Sequence, residues 1–191
     1  MPPRDPRRGG TTASIDGTPR RGCNPDLPSM LGHTDLGPLI LGWLGDDTEA
    51  ATALRGTCVA ARDAVAAHPW ADGHARIAFP ARWRAAFPRA KVANISYVLG
   101  LRDADFVHLR GLHTLCMSYC YQTSITDAAF AHLGGIRMLD MSYCDQATIT
   151  DAMLERLVGV HTLDLQGCTQ LSPSDELLAK LKAAGLCRLW R

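Results

Sequence analysis

Three cysteines recur at a fixed interval, since Cys120, Cys144 and Cys168 stand 24 residues apart. If each followed a strand of one parallel sheet, their thiols would form a column with a spacing of about 4.8 Å. Thiolates bind zinc, but a structural zinc site takes ligands in pairs roughly two to four residues apart. Only Cys116 and Cys120 have that spacing, and Cys116 is expected to point out of the strand whereas Cys120 points in. The spacing therefore predicts no metal site.

The histidines recur in the same way. His108 and His132 are 24 residues apart, and His113 and His161 are twice that interval apart. A set of catalytic residues occurs once in a chain, whereas these histidines recur at the same interval as the cysteines. The sequence also has no phosphate-cradling glycine loop, no nucleophile elbow and no local pair of carboxylates. We therefore expect a protein that is not an enzyme, with no catalytic residue and no cofactor.

Composition narrows the classes of partner. The 191 residues are 47% hydrophobic and 20% charged, and the net charge is +1. That balance is typical of a globular protein, and it argues against nucleic acid as a partner because it offers no basic field. No apolar run approaches the ~20 residues of a membrane span, and the Pro- and Arg-rich beginning does not resemble a secretory signal. With seven cysteines, an odd number, the sequence predicts a cytoplasmic or nuclear protein with reduced thiols.

The 24-residue interval belongs to an internal repeat. Residues 112–120, 136–144 and 160–168 align at nine successive positions, for example Met117-Ser118-Tyr119-Cys120 with Met141-Ser142-Tyr143-Cys144. Residues 124–133 and 148–157 align as well. A degenerate earlier copy covers 95–109 and a truncated last copy covers 186–190. The chain from residue 90 to residue 191 therefore contains about four short repeats.

Each repeat contains a strand pattern and a helix pattern. Leu115 and Met117 point one way along a strand, and Cys116 and Ser118 point the other way. A threonine or aspartate then caps a helical segment, at Thr126 or Asp127 and at Thr150 or Asp151. Glycines end these segments, at 134–135 and 159. Because one strand and one helix cannot bury their apolar faces alone, the units are expected to stack, with a parallel sheet on one side and helices on the other.

This repeat resembles the cysteine-containing leucine-rich repeats of F-box proteins. The resemblance implies an α/β leucine-rich-repeat solenoid of parallel strands plus helices over residues 90–191. It also implies that the three recurring cysteines are small buried residues at the corner between strand and loop.

The chain before the repeats divides into three predicted parts. Residues 1–26 are rich in Pro, Gly, Thr and Arg and are expected to be a disordered tail. Residues 27–75 are expected to be a small all-α domain. One of its helices carries Leu39, Ile40, Trp43 and Leu44 on one face, and a second, capped at 46–47, carries a stripe at 54, 58, 61 and 65. Residues 76–89 are expected to form a connecting helix that starts at Pro80.

The helical segment resembles an F-box. The residues that carry the resemblance are Leu27-Pro28, the apolar run at 39–44, Leu54, Cys58, Arg62 and Trp70. The resemblance implies an adaptor that recruits substrates to an SCF-type ubiquitin ligase. Its contacts with the linker subunit of the ligase would come from Leu27, Pro28, Leu39, Ile40, Trp43, Leu44 and Leu54. The alternative is a stand-alone leucine-rich-repeat scaffold in which these helices only cap the first repeat.

In either case the expected partner is a protein bound on the outward side of the sheet. Tyrosines follow successive strands in the same register, and tyrosine is frequent in binding hot spots. The residues predicted to form this face are Ser118, Tyr119, Met138, Asp140, Ser142, Tyr143, Asp164 and Gln166.

Overall fold

The structure is a computed structural model that describes residues 41–44 and 47–191. The predicted tail at 1–26 and the candidate contacts Leu27, Pro28, Leu39 and Ile40 lie outside the described residues. The described part is an α/β protein in which the helical residues 41–43 and three further short helices precede a parallel sheet.

The helices before the sheet are α1 (Thr48–Arg55), α2 (Val59–Ala67) and α3 (Pro80–Ala86). As predicted, Asp47 caps α1, because its carboxylate accepts hydrogen bonds from the backbone N–H groups of Glu49 and Ala50. Also as predicted, α3 starts at Pro80, the favoured position for proline in a helix. The prediction of one continuous stripe from 54 to 65 is wrong. The N–H of Gly56 bonds to the carbonyl of Ala53 and ends α1, and Cys58 begins α2 as its N-cap.

The sheet contains five strands in sequence order, and every neighbouring pair is parallel. The strands are β1 (Val92–Asn94), β2 (Thr114–Cys116), β3 (Met138–Asp140), β4 (Thr162–Asp164) and β5 (Arg188–Trp190). Their central residues are in register, namely Ala93, Leu115, Leu139, Leu163 and Leu189. The 24-residue offset that aligns residues 112–120, 136–144 and 160–168 is therefore also the offset between paired residues of β2, β3 and β4. Arg76 adds a single parallel bridge to Asn94 beside β1.

Helical segments connect the strands on the side opposite to the outward residues. Three of them are 3-10 helices, at Asp103–Leu109, Ala129–His132 and Asp151–Leu157, and the last is an α-helix, α4 (Asp175–Ala183). A 3-10 helix rises about 2.0 Å per residue, against about 1.5 Å in an α-helix. It therefore spans the same distance with fewer residues, which suits the shorter repeats. The longest interval, from Leu163 to Leu189, is the one that contains the α-helix.

Threonine and aspartate have separate roles at the start of these segments. The hydroxyl of Thr150 accepts the N–H of Ala152 and caps the segment at Asp151–Leu157. The hydroxyl of Thr126 accepts the N–H of Ala128, but the predicted cap at Thr126 or Asp127 is wrong, because Ala128 is the N-cap of the segment at Ala129–His132. The carboxylates instead join one repeat to the next. Asp103 accepts both the N–H and the hydroxyl of Thr126, at 2.7 Å each. Asp127 does the same to Thr150, at 2.8 and 2.6 Å. These charge-assisted bonds hold the repeats at a fixed separation.

Two apolar cores are present in the described part of the chain. The larger runs through all the repeats and contains the inward residues of the strands, such as Leu115, Met117, Leu139 and Met141, each fully buried. The smaller contains Leu41, Ala51, Val65, Trp70, Phe87 and Ala90. Trp83 of α3 packs against both cores. The connecting helix thus joins the helical segment to the first repeat through a shared side chain.

Candidate functional site

Three tyrosines form a stacked column at the ends of the first three strands. The rings of Tyr97 and Tyr119 are 4.5 Å apart and those of Tyr119 and Tyr143 are 4.7 Å apart, with interplanar angles of 11° and 12°. All three have positive φ, at 61°, 58° and 58°. The left-handed conformation costs a non-glycine residue about 1–3 kcal/mol, so the surrounding structure must hold it. Backbone bonds do so, since the N–H of Tyr119 donates to the carbonyl of Ser142 at 2.9 Å.

The tyrosine column is closed at both ends by this chain. The guanidinium of Arg76 lies 5.4 Å from the centre of the Tyr97 ring, a cation–π distance. At the other end stands Gly167, which shares the positive φ but has no ring. A Cβ atom at Gly167 would lie 2.5 Å from Cδ1 of Tyr143, so the tyrosine ring covers this glycine. The ring faces are therefore occupied, and the ring edges and hydroxyls are what a partner would meet.

Two aspartates lie on the outward side of the neighbouring strands. Asp140 accepts the N–H and the hydroxyl of Ser142, at 3.0 and 2.8 Å, both through Oδ1. Asp164 accepts the N–H of Gln166 at 3.0 Å, again through Oδ1. Asn94 makes the same bond to Ser96 in the first repeat. These bonds fix the turn into the tyrosine column and orient the two carboxylates, which we call the acidic pair.

The eight residues predicted for the binding face lie on and just after β2, β3 and β4. Met138, Tyr143 and Gln166 are exposed, whereas Ser118, Tyr119, Asp140, Ser142 and Asp164 are half-buried. Ser118 donates a hydrogen bond from its hydroxyl to that of Ser96 at 3.0 Å. The structure thus brings these residues together as one surface.

The residues predicted to contact a ligase differ in exposure. Trp43 is 93% exposed. Leu44 and Leu54 are partly buried and pack against the smaller core. Trp43 is therefore free to contact another molecule, whereas substitutions at Leu44 or Leu54 would also disturb packing within the helical segment.

The recurring cysteines form a second column, buried in the turns four residues beyond the ends of β2, β3 and β4. Cys120 and Cys144 are fully buried and Cys168 is 6% exposed. Each thiol donates a hydrogen bond of 3.1 Å to a carbonyl of the previous repeat, at Ile95, Met117 and Met141. Among the described residues, no group of three or more His, Cys, Asp or Glu side chains is placed to hold a metal ion. The thiols serve here as small hydrogen-bond donors between repeats.

Burial changes the acidity of these thiols. It raises the pKa of Cys120 to about 11 and raises the pKa of Cys144 and of Cys168 above the ordinary thiol value. Because the thiolate is the reactive form, Cys120, Cys144 and Cys168 are expected to react with iodoacetamide at pH 8 on the order of 100-fold more slowly in the folded chain than in urea. Exposed Cys187 is expected to react rapidly in both. Mass spectrometry of the peptides measures each rate, and fast labelling of Cys144 in the folded chain would contradict its burial.

The same shifts predict a loss of stability in alkali. A thiol with a raised pKa remains protonated in the folded state after it has ionised in the unfolded state, so stability is retained below about pH 9 and falls as pH rises further. Replacing Cys144 with serine keeps a donor for the carbonyl of Met117 but removes the ionisation. Urea titrations at pH 8, 9, 10 and 11 are expected to show a shallower decline for the variant than for the wild type. Equal declines would contradict this prediction.

Sequence reasoning missed a third column, formed by Gln122, Gln146 and Gln170. Their Nε2 atoms donate to the carbonyls of Val98, Cys120 and Cys144 at 3.1, 2.9 and 2.7 Å. Their regular spacing was the available signal. Glutamine is usually exposed, however, and nothing in its pattern separates a buried inter-repeat donor from a surface residue.

One cavity lies outside the repeats. It measures about 530 Å³ and is lined by Asp47, Glu49, Asp72, His74 and their neighbours. Burial alone would raise the pKa of Asp72, but bonds from the Thr48 hydroxyl and from three backbone N–H groups outweigh it and lower the pKa. The Asp72 carboxylate thus links α1 to the turn at 72–75 through these hydrogen bonds.

No helix within residues 41–44 and 47–191 is long and apolar enough to cross a membrane. No protein-family model matches the chain, and no curated protein matches it.

Proposed function

We propose that this chain is a protein-binding leucine-rich-repeat solenoid, preceded by an F-box-like helical segment, that presents substrates to an SCF-type ubiquitin ligase. The protein-binding role rests on one observation. On the side of the sheet opposite to the helical segments, which we call the open side or open face, equivalent residues of successive repeats form one surface. Main-chain bonds and inter-repeat carboxylates hold that surface rigid, so a partner would not have to order it on binding.

The sheet register supports the solenoid. Each unit contacts its neighbours through parallel strand pairing and through one continuous core, which is the arrangement expected of stacked repeats. Columns of like residues, such as the tyrosine and cysteine columns, are a second consequence of that arrangement. The open side is about five strands wide, or ~20 Å, which suits a peptide segment or one secondary-structure element of a partner.

Support for the ligase role comes from the helical segment. It has its own small core around Trp70 and Val65, and it leaves Trp43 exposed on its surface. Tryptophan is frequent in binding hot spots. Trp43 lies in the run that carries the resemblance to the F-box, where contact with the linker subunit is expected.

The test is a binding titration of the full chain against the purified linker–cullin subcomplex. Wild type is expected to bind, and Trp43→Ala is expected to weaken binding by about tenfold or more. Leu99→Ala is a matched control, because Leu99 is 73% exposed but lies beside the sheet. Leu44 is left unchanged, since its loss would confound binding with folding. A folded wild-type protein that does not bind the subcomplex would refute the ligase role.

The stand-alone scaffold is the second candidate, and one feature favours it. Arg76 pairs with Asn94 beside β1, and Trp83 packs on both cores, so the preceding segment covers the first edge of the sheet. Solenoids require such a cap whether or not they bind a ligase. Absence of linker binding, with the face still active toward a protein, would favour this candidate.

A further inference from the structure

A second border of the open face carries two positive charges, on Lys91 and Arg137, and two histidines. The residue just before each of the first four strands is basic, and these residues form what we call the strand-start row, namely Lys91, His113, Arg137 and His161. They occupy equivalent positions, since the carbonyl of each accepts backbone N–H groups from the following repeat. His113, Arg137 and His161 are exposed and Lys91 is half-buried.

The strand-start row and the acidic pair lie at opposite ends of the strands. Asp140 is three residues beyond Arg137 and Asp164 is three residues beyond His161. At about 3.3 Å per strand residue, the two charged lines are roughly 10 Å apart. The net charge of +1 conceals this separation. No Asp or Glu occurs in 128–139 or 156–163, the segments that lead into β3 and β4.

This spacing fits an α-helix laid across the strands. A helix is about 10–12 Å wide with its side chains, close to the separation of the two charged lines. It advances about 5.4 Å per turn, against about 4.8 Å per strand. Side chains repeated once per turn on each edge of the helix would therefore stay beside successive repeats over the whole face.

We propose that the open face binds an α-helix of a partner protein that carries acidic residues along one edge and Lys or Arg along the other. The acidic edge lies on the strand-start row. The basic edge lies on the acidic pair and extends to the hydroxyls of Tyr119 and Tyr143. A nucleic acid fits less well, because phosphates spread over the face would meet the acidic pair. This inference rests on the protein-binding part of the proposed function and not on the ligase role.

The test uses two fluorescent, alanine-based helical peptides of about 18 residues, or five turns. The striped peptide carries glutamates along one edge of its contact face and lysines along the other. The scrambled peptide has the same composition, with both charges mixed on both edges. A peptide with exchanged stripes is not a control, because a helix lying in the opposite direction presents the same two edges.

Anisotropy titrations of the full chain at low salt are expected to give at least about tenfold tighter binding of the striped peptide, since ion pairs at Arg137, Asp140 and Asp164 contribute roughly two- to fivefold each. Arg137→Glu is expected to remove most of this preference. Asp140→Asn with Asp164→Asn is expected to do the same, while the amide oxygens still accept the N–H groups of Ser142 and Gln166. Arg156→Glu is the control, because it makes the same charge change on the helical side of the sheet, and it should alter affinity by less than about twofold.

Equal affinity for the two peptides, or no binding of the striped peptide by folded protein, would overturn the inference. So would tighter binding of a single-stranded DNA probe than of the striped peptide. None of these results depends on the linker subunit, so failure here is distinguishable from failure of the ligase role, which the Trp43→Ala titration measures separately.

Discussion

Replacing Leu139 with alanine is expected to lower the free energy of unfolding by about 2–5 kcal/mol. Leu139 is fully buried at the centre of β3, in the middle of the larger core. Loss of its side chain removes contacts with the repeats on both sides and leaves a cavity that the paired strands cannot close. Urea denaturation followed by circular dichroism measures the change.

Met138→Ala is the matched control for this substitution. Met138 is the preceding residue of the same strand, but it points outward and is 44% exposed. The control is expected to change stability by less than about 0.5 kcal/mol. A similar loss from both variants would mean that the side chains of β3 do not alternate as described.

Replacing Gly167 with valine is expected to destabilise the protein by about 2–4 kcal/mol. Two effects add. The φ of 71° disfavours any β-branched residue, and the new Cβ would collide with the Tyr143 ring, 2.5 Å away. The ring must then leave the tyrosine column. Near-ultraviolet circular dichroism, which reports on stacked tyrosines, should weaken together with the stability.

Gly134→Ala is the control for the valine substitution. Gly134 also lies at a repeat boundary, but its φ is not positive and a Cβ atom there would meet nothing within 4 Å. It is expected to be neutral or to stabilise the protein by a few tenths of a kcal/mol. An unchanged tyrosine signal in Gly167→Val would contradict the packing of Tyr143 on the glycine.

The sequence was sufficient to predict the inward residues of the sheet. Strand alternation predicts that Leu115 and Met117 share one side, and the repeat alignment places Leu139 and Met141 at the equivalent positions. All four are fully buried. The reason is that two independent signals agree. Alternation gives the face within one repeat, and the recurrence of that pattern gives the register between repeats.

The type of helix between the strands could not be predicted in this way. Over four to seven residues, as at Ala129–His132 and Asp103–Leu109, periods of three and 3.6 place apolar residues at nearly the same positions. The type of helix depends on how many residues are available to span the distance back to the next strand. That distance is a property of the assembled stack.

The candidate site was predictable only in part. The tyrosine column followed from the recurrence of Tyr97, Tyr119 and Tyr143, but its closure by Arg76 did not, because Arg76 lies outside the repeats. Trp43 and Leu44 were assigned to one apolar face, yet one is exposed and the other is packed. Which of the two is buried depends on where the smaller core lies. That core includes Phe87 and Ala90, which lie beyond the predicted helical domain.

Residue-resolved hydrogen exchange tests most directly that residues 90–191 form one stack with a single open face. The amides of Ile95, Met117, Met141 and Leu165 each donate to a carbonyl on the next strand, at 2.8, 2.8, 3.1 and 2.9 Å. We expect all four to be strongly protected and to lose protection together as urea is added. Rapid exchange at Met117 and Met141 in the folded chain, or separate loss of protection in neighbouring repeats, would contradict one continuous stack and the binding face built on it.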